Sequence, residues 1–186
     1  MRKDFGVKTY LYPQPVLMIA TFDGEGNPDC MNAAWGGISE EDQISICLSA
    51  NHKTVKNILE TKAFTISCAT KKCVKECDYL GIASGNVVKN KLGKVGFHVE
   101  KAAHCNAPII KELPLTIECE FISYNEETCI MKGKILNVSA DESILTDGKI
   151  DVNKLEPISF DAANAKYLLI KDVVGSAFSD GKEFLK

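Results

Sequence analysis

The chain has 186 residues, of which 45% are hydrophobic and 25% are charged, with 22 Lys and Arg against 25 Asp and Glu. The formal charge of -3 lacks the basic excess that binds nucleic acid or an anionic membrane surface, so we expect neither as a partner. The length and apolar content fit one domain over residues 1–186 with a sizeable core.

The first half of the chain is predicted to form strands joined by turns. The apolar run Val16–Phe22 precedes the turn residues Asp23–Pro28, and a returning strand is expected over Asp29–Ser39. Apolar and polar residues alternate over Ile44–Ser49 and again over Phe64–Cys68. This alternation predicts two further strands, each with one buried face.

Two helices are predicted between and after these strands. Apolar residues recur at helical spacing from Val55 onward, and either Asn51 or Thr54 can cap the helix that they form. A second helix is expected from about Lys71 to Ile82, where apolar residues again share one face.

The second half of the chain is again predicted to be mainly β. Residues alternate over Leu115–Phe121, with Ile130–Val138 as an antiparallel partner, and a last strand is expected at Tyr167–Ile170. The segment Ile144–Leu155 contains a turn and is interpreted as a surface excursion. Many antiparallel strands with few helices indicate a closed or nearly closed barrel, which removes exposed sheet edges.

The eight cysteines are interpreted as reduced thiols. The apolar run Val16–Ala20 is too short for a signal sequence or a membrane span, so a cytoplasmic protein is expected. Cys68, Cys73 and Cys77 match neither the ferredoxin spacing nor the paired spacing of a zinc site. We therefore predict no metal site.

The first candidate binding motif comprises Asn32, Ala33, Ala34 and Trp35, followed by Gly36 and Gly37. Small side chains let backbone amides approach the edge of an aromatic ligand, and Trp35 can form a wall beside its ring. The alternative is that the small residues permit a bulge or a barrel corner and that Trp35 belongs to the core.

The second candidate motif comprises Ser49, Ala50, Asn51, His52, Lys53 and Thr54, at the start of the first predicted helix. A helix N-terminus offers free amides and the positive end of its dipole, while Lys53 and Thr54 add a cation and a hydroxyl. This combination suits a phosphate group. The alternative is an ordinary helix cap with a solvated lysine.

In chain order these features resemble the flavin reductase-like, FMN-binding split-barrel family, in its flavoredoxin-like and archaeal ferric-reductase-like branch. The resemblance extends over roughly residues 12 to 182. The residues that carry it are Pro15-Val16-Leu17-Met18-Ile19, Asp23-Gly24 with Asn27, Asn32-Ala33-Ala34-Trp35, His52-Lys53-Thr54 with Asn57-Ile58, Phe64-Thr65-Ile66, Ser84-Gly85, Asn90-Lys91-Leu92 with Gly96-Phe97, Ala107-Pro108-Ile109, Leu115 with Glu118-Cys119, and Tyr167 with Gly175 to Gly181.

The resemblance implies a mainly β fold, a six-stranded antiparallel Greek-key split barrel with a few added α-helices. It also implies a homodimer with noncovalently bound FMN near the subunit interface. A loop containing Ser84, Gly85 and Lys91 is expected to close over the flavin or its phosphate. Family members commonly have an acid before this lysine, whereas this chain has Asn90, so the alternative is that Lys91 is a solvated surface charge.

The implied function is that of an FMN-dependent oxidoreductase. It would pass electrons from NAD(P)H or another donor through the flavin to an acceptor, which could be flavin, a ferric complex or a partner protein. Because the chemistry belongs to the cofactor, no catalytic side chain is nominated. The alternatives are a flavoredoxin-type electron carrier without its own nicotinamide site, and a non-catalytic flavin-binding module.

Overall fold

The structure is a computed structural model that describes residues 1–185. Its strands are β1 (Gln14–Pro15), β2 (Leu17–Phe22), β3 (Pro28–Ala33), β4 (Gly36–Glu40), β5 (Gln43–Cys47), β6 (Ala63–Cys68), β7 (Val99–Lys101), β8 (Pro108–Ile110), β9 (Leu115–Asn125), β10 (Ile130–Ala140), β11 (Leu145–Thr146), β12 (Lys149–Ile150), β13 (Ile158–Asp161) and β14 (Lys166–Leu169). Its helices are α1 (Lys53–Thr61), α2 (Val74–Ile82), α3 (Lys91–Lys94) and α4 (Val152–Leu155), with short 3-10 helices at Lys71–Cys73, Glu142–Ile144 and Asp180–Leu185.

The main sheet contains seven antiparallel strands in the order β3-β2-β6-β9-β10-β5-β4. Its two edge strands, β3 and β4, are joined only by Ala34 and Trp35, so the sheet has to curl until its edges approach each other. The predicted mainly β split barrel is confirmed. The strand count differs from the six expected.

The extra strand arises because the predicted strand Asp29–Ser39 is divided into β3 and β4. The break lies at Ala34 and Trp35, and β4 begins at Gly36, where an added Cβ would lie 3.1 Å from the side chains of Leu17 and Ile46. The small side chain therefore permits the close approach of neighbouring strands. This geometry agrees with the alternative interpretation of the small residues as a barrel corner.

Strand β2 separates two hydrophobic cores. Leu17 and Ile19 face the core inside the curled sheet, whereas Met18 and Ala20 face a second core that α2, α3 and the smaller sheets cover. A strand that is buried on both faces has a continuous apolar sequence, which explains the unbroken run from Val16. The packing of α2 and α3 against this second core positions the segments around the candidate site.

The helix predictions hold in outline. The first predicted helix is α1, and the second consists of a 3-10 turn followed by α2. The short helix α3 was not predicted. The surface excursion Ile144–Leu155 contains β11, β12 and α4, and the side chains at its two ends, Ile144 and Leu155, are buried.

All eight cysteines are free thiols. Burial raises the pKa of Cys77 and of Cys119 to about 12, so both remain protonated at neutral pH. Within residues 1–185 no group of three His, Cys, Asp or Glu side chains is arranged to hold a metal ion. No helix in the same range is long and apolar enough to cross a membrane.

Candidate cofactor site

A cavity of about 390 Å³ lies where β3, the N-terminus of α1, the end of α2 and the segment before α3 meet. We call it the phosphate cavity, after the group that the sequence predicts there. It is lined by Asp29, Met31, Asn51, His52, Lys53, Thr54, Leu80, Gly81, Ile82, Ala83, Ser84, Gly85, Asn86 and Lys91. The structure thus brings seven of the predicted site residues together: Asn51, His52, Lys53, Thr54, Ser84, Gly85 and Lys91.

The N-terminus of α1 opens into this cavity without a side-chain cap. His52 occupies the N-cap position with extended backbone angles, φ -68 and ψ 138, and its side chain accepts no hydrogen bond from the first turn. The first turn also has no acidic residue. The positive end of the helix dipole is therefore available to an anion in the cavity.

Lys91 is a buried cation at the back of the phosphate cavity, only 3% exposed. Its Nζ donates to the carbonyl oxygens of Leu80 at 3.2 Å and Ala83 at 2.9 Å, and it lies 3.5 Å from Oδ1 of Asp29. The alternative of a solvated surface lysine is therefore wrong. The carboxylate partner comes from β3, and the preceding Asn90 instead caps α3 by accepting from the Gly93 amide at 3.1 Å.

The two helix residues nominated for phosphate binding both have carboxylate partners. The Thr54 hydroxyl is buried and donates to Oδ2 of Asp29 at 3.3 Å. Lys53 is half-buried, and its Nζ lies 3.2 Å from Oδ2 of Asp23. An incoming anion would therefore compete with Asp23 and Asp29 for these donors.

A second cavity of about 430 Å³ adjoins the first and shares Asp29 and Lys53 with it. The charged side chains that line the two cavities are Asp23, Glu25, Asp29, Lys53, Lys89 and Lys91, which balance in charge. His52 adds little positive charge at neutral pH, since burial and the nearby Lys91 ammonium lower its pKa. The site therefore attracts anions through the helix end and local donors rather than through a net charge.

The loop after α2 closes one side of the phosphate cavity. The Asn86 side chain donates to the Asn51 carbonyl at 2.9 Å, and Lys56 donates to Asn86 at 3.3 Å, so the loop is tied to the turn before α1. An added Cβ at Gly85 would lie 2.7 Å from Oδ2 of Asp29. Glycine is therefore needed where the loop passes this carboxylate.

The remaining predicted site residues lie outside the phosphate cavity. The Asn32 side chain donates to the Cys77 carbonyl at 3.2 Å and so faces α2. Ala34 and Trp35 line a separate groove of about 440 Å³. Trp35 is 53% exposed, so its interpretation as a core residue is wrong. Ala33 ends β3 and is half-buried, whereas Ser49 and Ala50 form the turn before α1.

Sequence reasoning missed Asp29 and Asn86 as members of the site. Asp29 is the charged residue in the predicted strand Asp29–Ser39, and a charge in such a strand is a signal that could have drawn attention to it. Asn86 lies in a turn-rich segment with no local pattern that separates it from other surface residues.

The structure has the fold of the flavin reductase-like split barrels. The family model described as "Flavin reductase like domain" matches residues 9–168, and the chain belongs to this family. The family resemblance stated from the sequence is confirmed.

The chain is similar to two flavoredoxins of known structure and to one uncharacterized protein. Flavoredoxin of Desulfovibrio vulgaris (Miyazaki F) is 35% identical, with a TM-score of 0.93 over 97% of this chain and 100% of that one. Flavoredoxin from Methanosarcina acetivorans is 25% identical, with a TM-score of 0.86 over 98% of this chain and 100% of that one. An uncharacterized protein of Aquifex aeolicus (strain VF5) is 24% identical over an alignment of 157 positions, and the alignment covers 78% of this chain and 79% of that protein.

Proposed function

We propose that the protein binds FMN noncovalently and takes part in electron transfer between a donor and an acceptor. The observation that carries this proposal is the uncapped N-terminus of α1, which opens into a cavity backed by the buried ammonium of Lys91. Family membership supports a flavin as the ligand. The phosphate would lie at the α1 N-terminus, where free amides favour an anion.

The residues present fit a terminal phosphate. The first turn of α1 supplies unpaired amides, Lys53 and Thr54 supply further donors, and Gly85 lets the adjoining loop approach closely. Asp23 and Asp29 hold these donors in place, and their hydrogen bonds would be partly exchanged for bonds to phosphate oxygens. We place the isoalloxazine ring toward Ala33, Ala34 and Trp35, where small residues leave backbone amides accessible.

Bound FMN would supply the reversible electron chemistry. The chain's own residues would bind the phosphate, orient the ring and limit access of water and oxygen. We propose NAD(P)H as a candidate donor, and a small molecule or a protein as the acceptor. We also propose that the protein is a homodimer, as the family resemblance implies, and that it is cytoplasmic.

A second function, that of a flavoredoxin-type electron carrier, is favoured by the 35% identity to flavoredoxin of Desulfovibrio vulgaris over 97% of the chain. Such a carrier would bind FMN and exchange electrons only with a protein partner. Steady consumption of NADH or NADPH by the FMN-loaded protein would support the oxidoreductase. Its absence, with FMN still reducible by dithionite and reoxidised by a partner protein, would support the carrier. A non-catalytic module would bind reducible FMN without turning over any acceptor.

The flavin proposal is tested by the visible spectrum of the purified protein and by chromatographic identification of the extracted chromophore. We expect absorption bands of an oxidised flavin and FMN as the extracted species, either as purified or after incubation with FMN and removal of the excess. Extraction of FAD alone would contradict the phosphate assignment. A protein that stays colourless after incubation with FMN, FAD and riboflavin would contradict the proposed function.

A further inference from the structure

The side chain of Gln14 lines the groove of about 440 Å³ beside Trp35, which we call the Trp35 groove. Residues 8–11 and 34–36 line the same groove. Gln14 is only 5% exposed, and its Oε1 atom is the only buried side-chain oxygen or nitrogen of residues 1–185 without a hydrogen-bond partner. Buried polar groups in folded proteins are nearly always paired, so this acceptor indicates a ligand that brings a donor.

The backbone holds Gln14 firmly at this position. Gln14 belongs to β1, which pairs with β13, and its carbonyl oxygen accepts from the Ser159 hydroxyl at 2.9 Å. The nearby Tyr12 hydroxyl donates to the Asp161 carboxylate. The two prolines that flank Gln14 restrict the backbone further. The residue that carries the unpaired amide is therefore ordered before a ligand arrives, which lowers the entropic cost of binding.

The Trp35 groove and the phosphate cavity lie at opposite ends of β3. Asp29, near the start of the strand, lines the phosphate cavity, and Ala34, directly after its end, lines the groove. At about 3.3 Å per residue, the stretch from Asp29 to Ala34 spans roughly 16 Å. This span is comparable to the distance from the phosphate to the far edge of the ring in extended FMN. A flavin with its phosphate at the α1 N-terminus can therefore reach Gln14 with its ring.

The hydrogen-bonding groups of the flavin ring are unevenly distributed. The oxidised isoalloxazine ring has a single N–H group, at N3, which lies between two carbonyl groups on the pyrimidine edge. The opposite edge carries methyl groups and offers no donor. A primary amide complements the pyrimidine edge, because its oxygen accepts from N3–H while its nitrogen donates to a neighbouring carbonyl. Only this edge of the ring can pair the buried Oε1 atom of Gln14.

We infer that Gln14 binds the pyrimidine edge of the flavin ring, accepts a hydrogen bond from N3–H, and so determines which edge of the ring enters the Trp35 groove. The inference rests on the proposed binding of FMN and deepens it, since Gln14 lies outside the predicted site residues. The amide gains its partner only in the complex. The flavin-free protein therefore does not depend on the amide for its stability.

The test compares FMN with 3-methyl-FMN, in which a methyl group replaces the N3 hydrogen, as ligands of the flavin-free full-length protein. The variant Gln14→Met removes the amide and keeps an unbranched side chain of similar length. The matched control is Gln43→Met on β5, which lines neither the Trp35 groove nor the phosphate cavity. Flavin fluorescence measures the dissociation constants, and urea denaturation of the flavin-free proteins measures their stability.

We expect the wild type and the control to bind FMN about tenfold or more tightly than 3-methyl-FMN. Gln14→Met should weaken FMN binding about fivefold or more and reduce the preference over 3-methyl-FMN to less than about threefold. The urea midpoint of flavin-free Gln14→Met should equal or exceed that of the wild type, because the variant removes a buried acceptor without a partner. A purely structural role of Gln14 would lower this midpoint and leave the ligand preference unchanged.

Two results would overturn the inference and leave flavin binding intact: equal affinity of the wild type for the two ligands, or an unchanged preference in Gln14→Met. The carboxamide of a nicotinamide also has an N–H donor beside a carbonyl. If Gln14→Met leaves FMN affinity unchanged but weakens binding of NADH to the FMN-loaded protein, the amide binds the electron donor and the inference is wrong.

Failure of the wild type to bind any flavin would instead contradict the proposed function, and the inference with it. If Gln14→Met does not fold, as judged by circular dichroism, the comparison of FMN with 3-methyl-FMN in the wild type decides the test.

Discussion

Replacement of Lys91 with methionine tests the role of the buried cation in the candidate site. Methionine keeps much of the length and volume of the lysine side chain, so the substitution removes the charge with little loss of packing. In the native protein the Lys91 ammonium contacts two backbone carbonyl oxygens, at 2.9 Å and 3.2 Å, and the Asp29 carboxylate at 3.5 Å. The variant leaves all three acceptors without this partner.

The expected loss of stability follows from the burial of the pair. The side chains of Lys91 and Asp29 are 2% and 6% exposed, and removing one member of a buried pair costs about 3–5 kcal/mol. Asp29 keeps the hydroxyl of Thr54 as a donor at 3.3 Å, so we expect the lower end, about 3 kcal/mol. Changing Asp29 to asparagine in the same chain removes the buried charge and should recover at least about 1 kcal/mol.

Urea denaturation at pH 7 measures the free energy of unfolding of each variant. The matched control is Lys71→Met, which breaks the pair between Lys71 and Glu156 at 3.1 Å, where the side chains are 59% and 30% exposed. Such a surface pair contributes less than about 1 kcal/mol. If Lys91→Met and Lys71→Met cost the same, or if the Asp29→Asn change recovers nothing, the assignment of a buried ion pair is refuted.

Three further predictions concern ligand binding and pH. Lys53→Ala combined with Thr54→Ala should raise the FMN dissociation constant at least tenfold in a folded protein, because charge-assisted hydrogen bonds contribute about 1.5–3 kcal/mol each; an unchanged constant in a calorimetric titration would place the phosphate elsewhere. Burial and the Lys91 ammonium lower the pKa of His52, whereas a bound phosphate would favour the protonated imidazole. FMN affinity should therefore fall as pH rises through the pKa that His52 has in the complex. A His52→Gln variant with the same pH profile as the wild type would contradict this prediction. Burial acts to raise the pKa of Glu118, but hydrogen bonds from Asn137 and His104 hold it below its usual range. The stability that these bonds contribute should therefore be lost as pH falls through the lowered pKa. Acid denaturation of Glu118→Gln should lack this contribution, and an acid profile identical to that of the wild type would contradict the prediction.

Local patterns predicted most of the fold. The alternation in Ile44–Ser49 and Phe64–Cys68 reflects strands with one buried face, and the spacing from Val55 reflects a helix with one buried face. One strand was predicted over Asp29–Ser39, and only the alternative interpretation of the small residues as a bulge or a barrel corner indicated the break between β3 and β4. The close packing of Gly36 depends on the side chains of Leu17 and Ile46. Both residues lie on other strands, so the local sequence does not reveal this packing.

The site was predicted where its residues are close in sequence and missed where they are not. The segment Asn51 to Thr54 lies at a helix start, and helix starts have a recognisable sequence pattern. The pair between Lys91 and Asp29 joins segments far apart in the chain, so no local spacing reveals it. The absence of an acid before Lys91 favoured the alternative of a solvated lysine, whereas the carboxylate partner is Asp29 of β3.

The central claim is that the α1 N-terminus binds the terminal phosphate of FMN. Equilibrium titration of the flavin-free protein with FMN and with riboflavin, which lacks the phosphate, tests it most directly. The account predicts that FMN binds at least tenfold more tightly than riboflavin, and that Lys53→Ala with Thr54→Ala removes most of this difference. Equal affinity for FMN and riboflavin in the wild-type protein would contradict it.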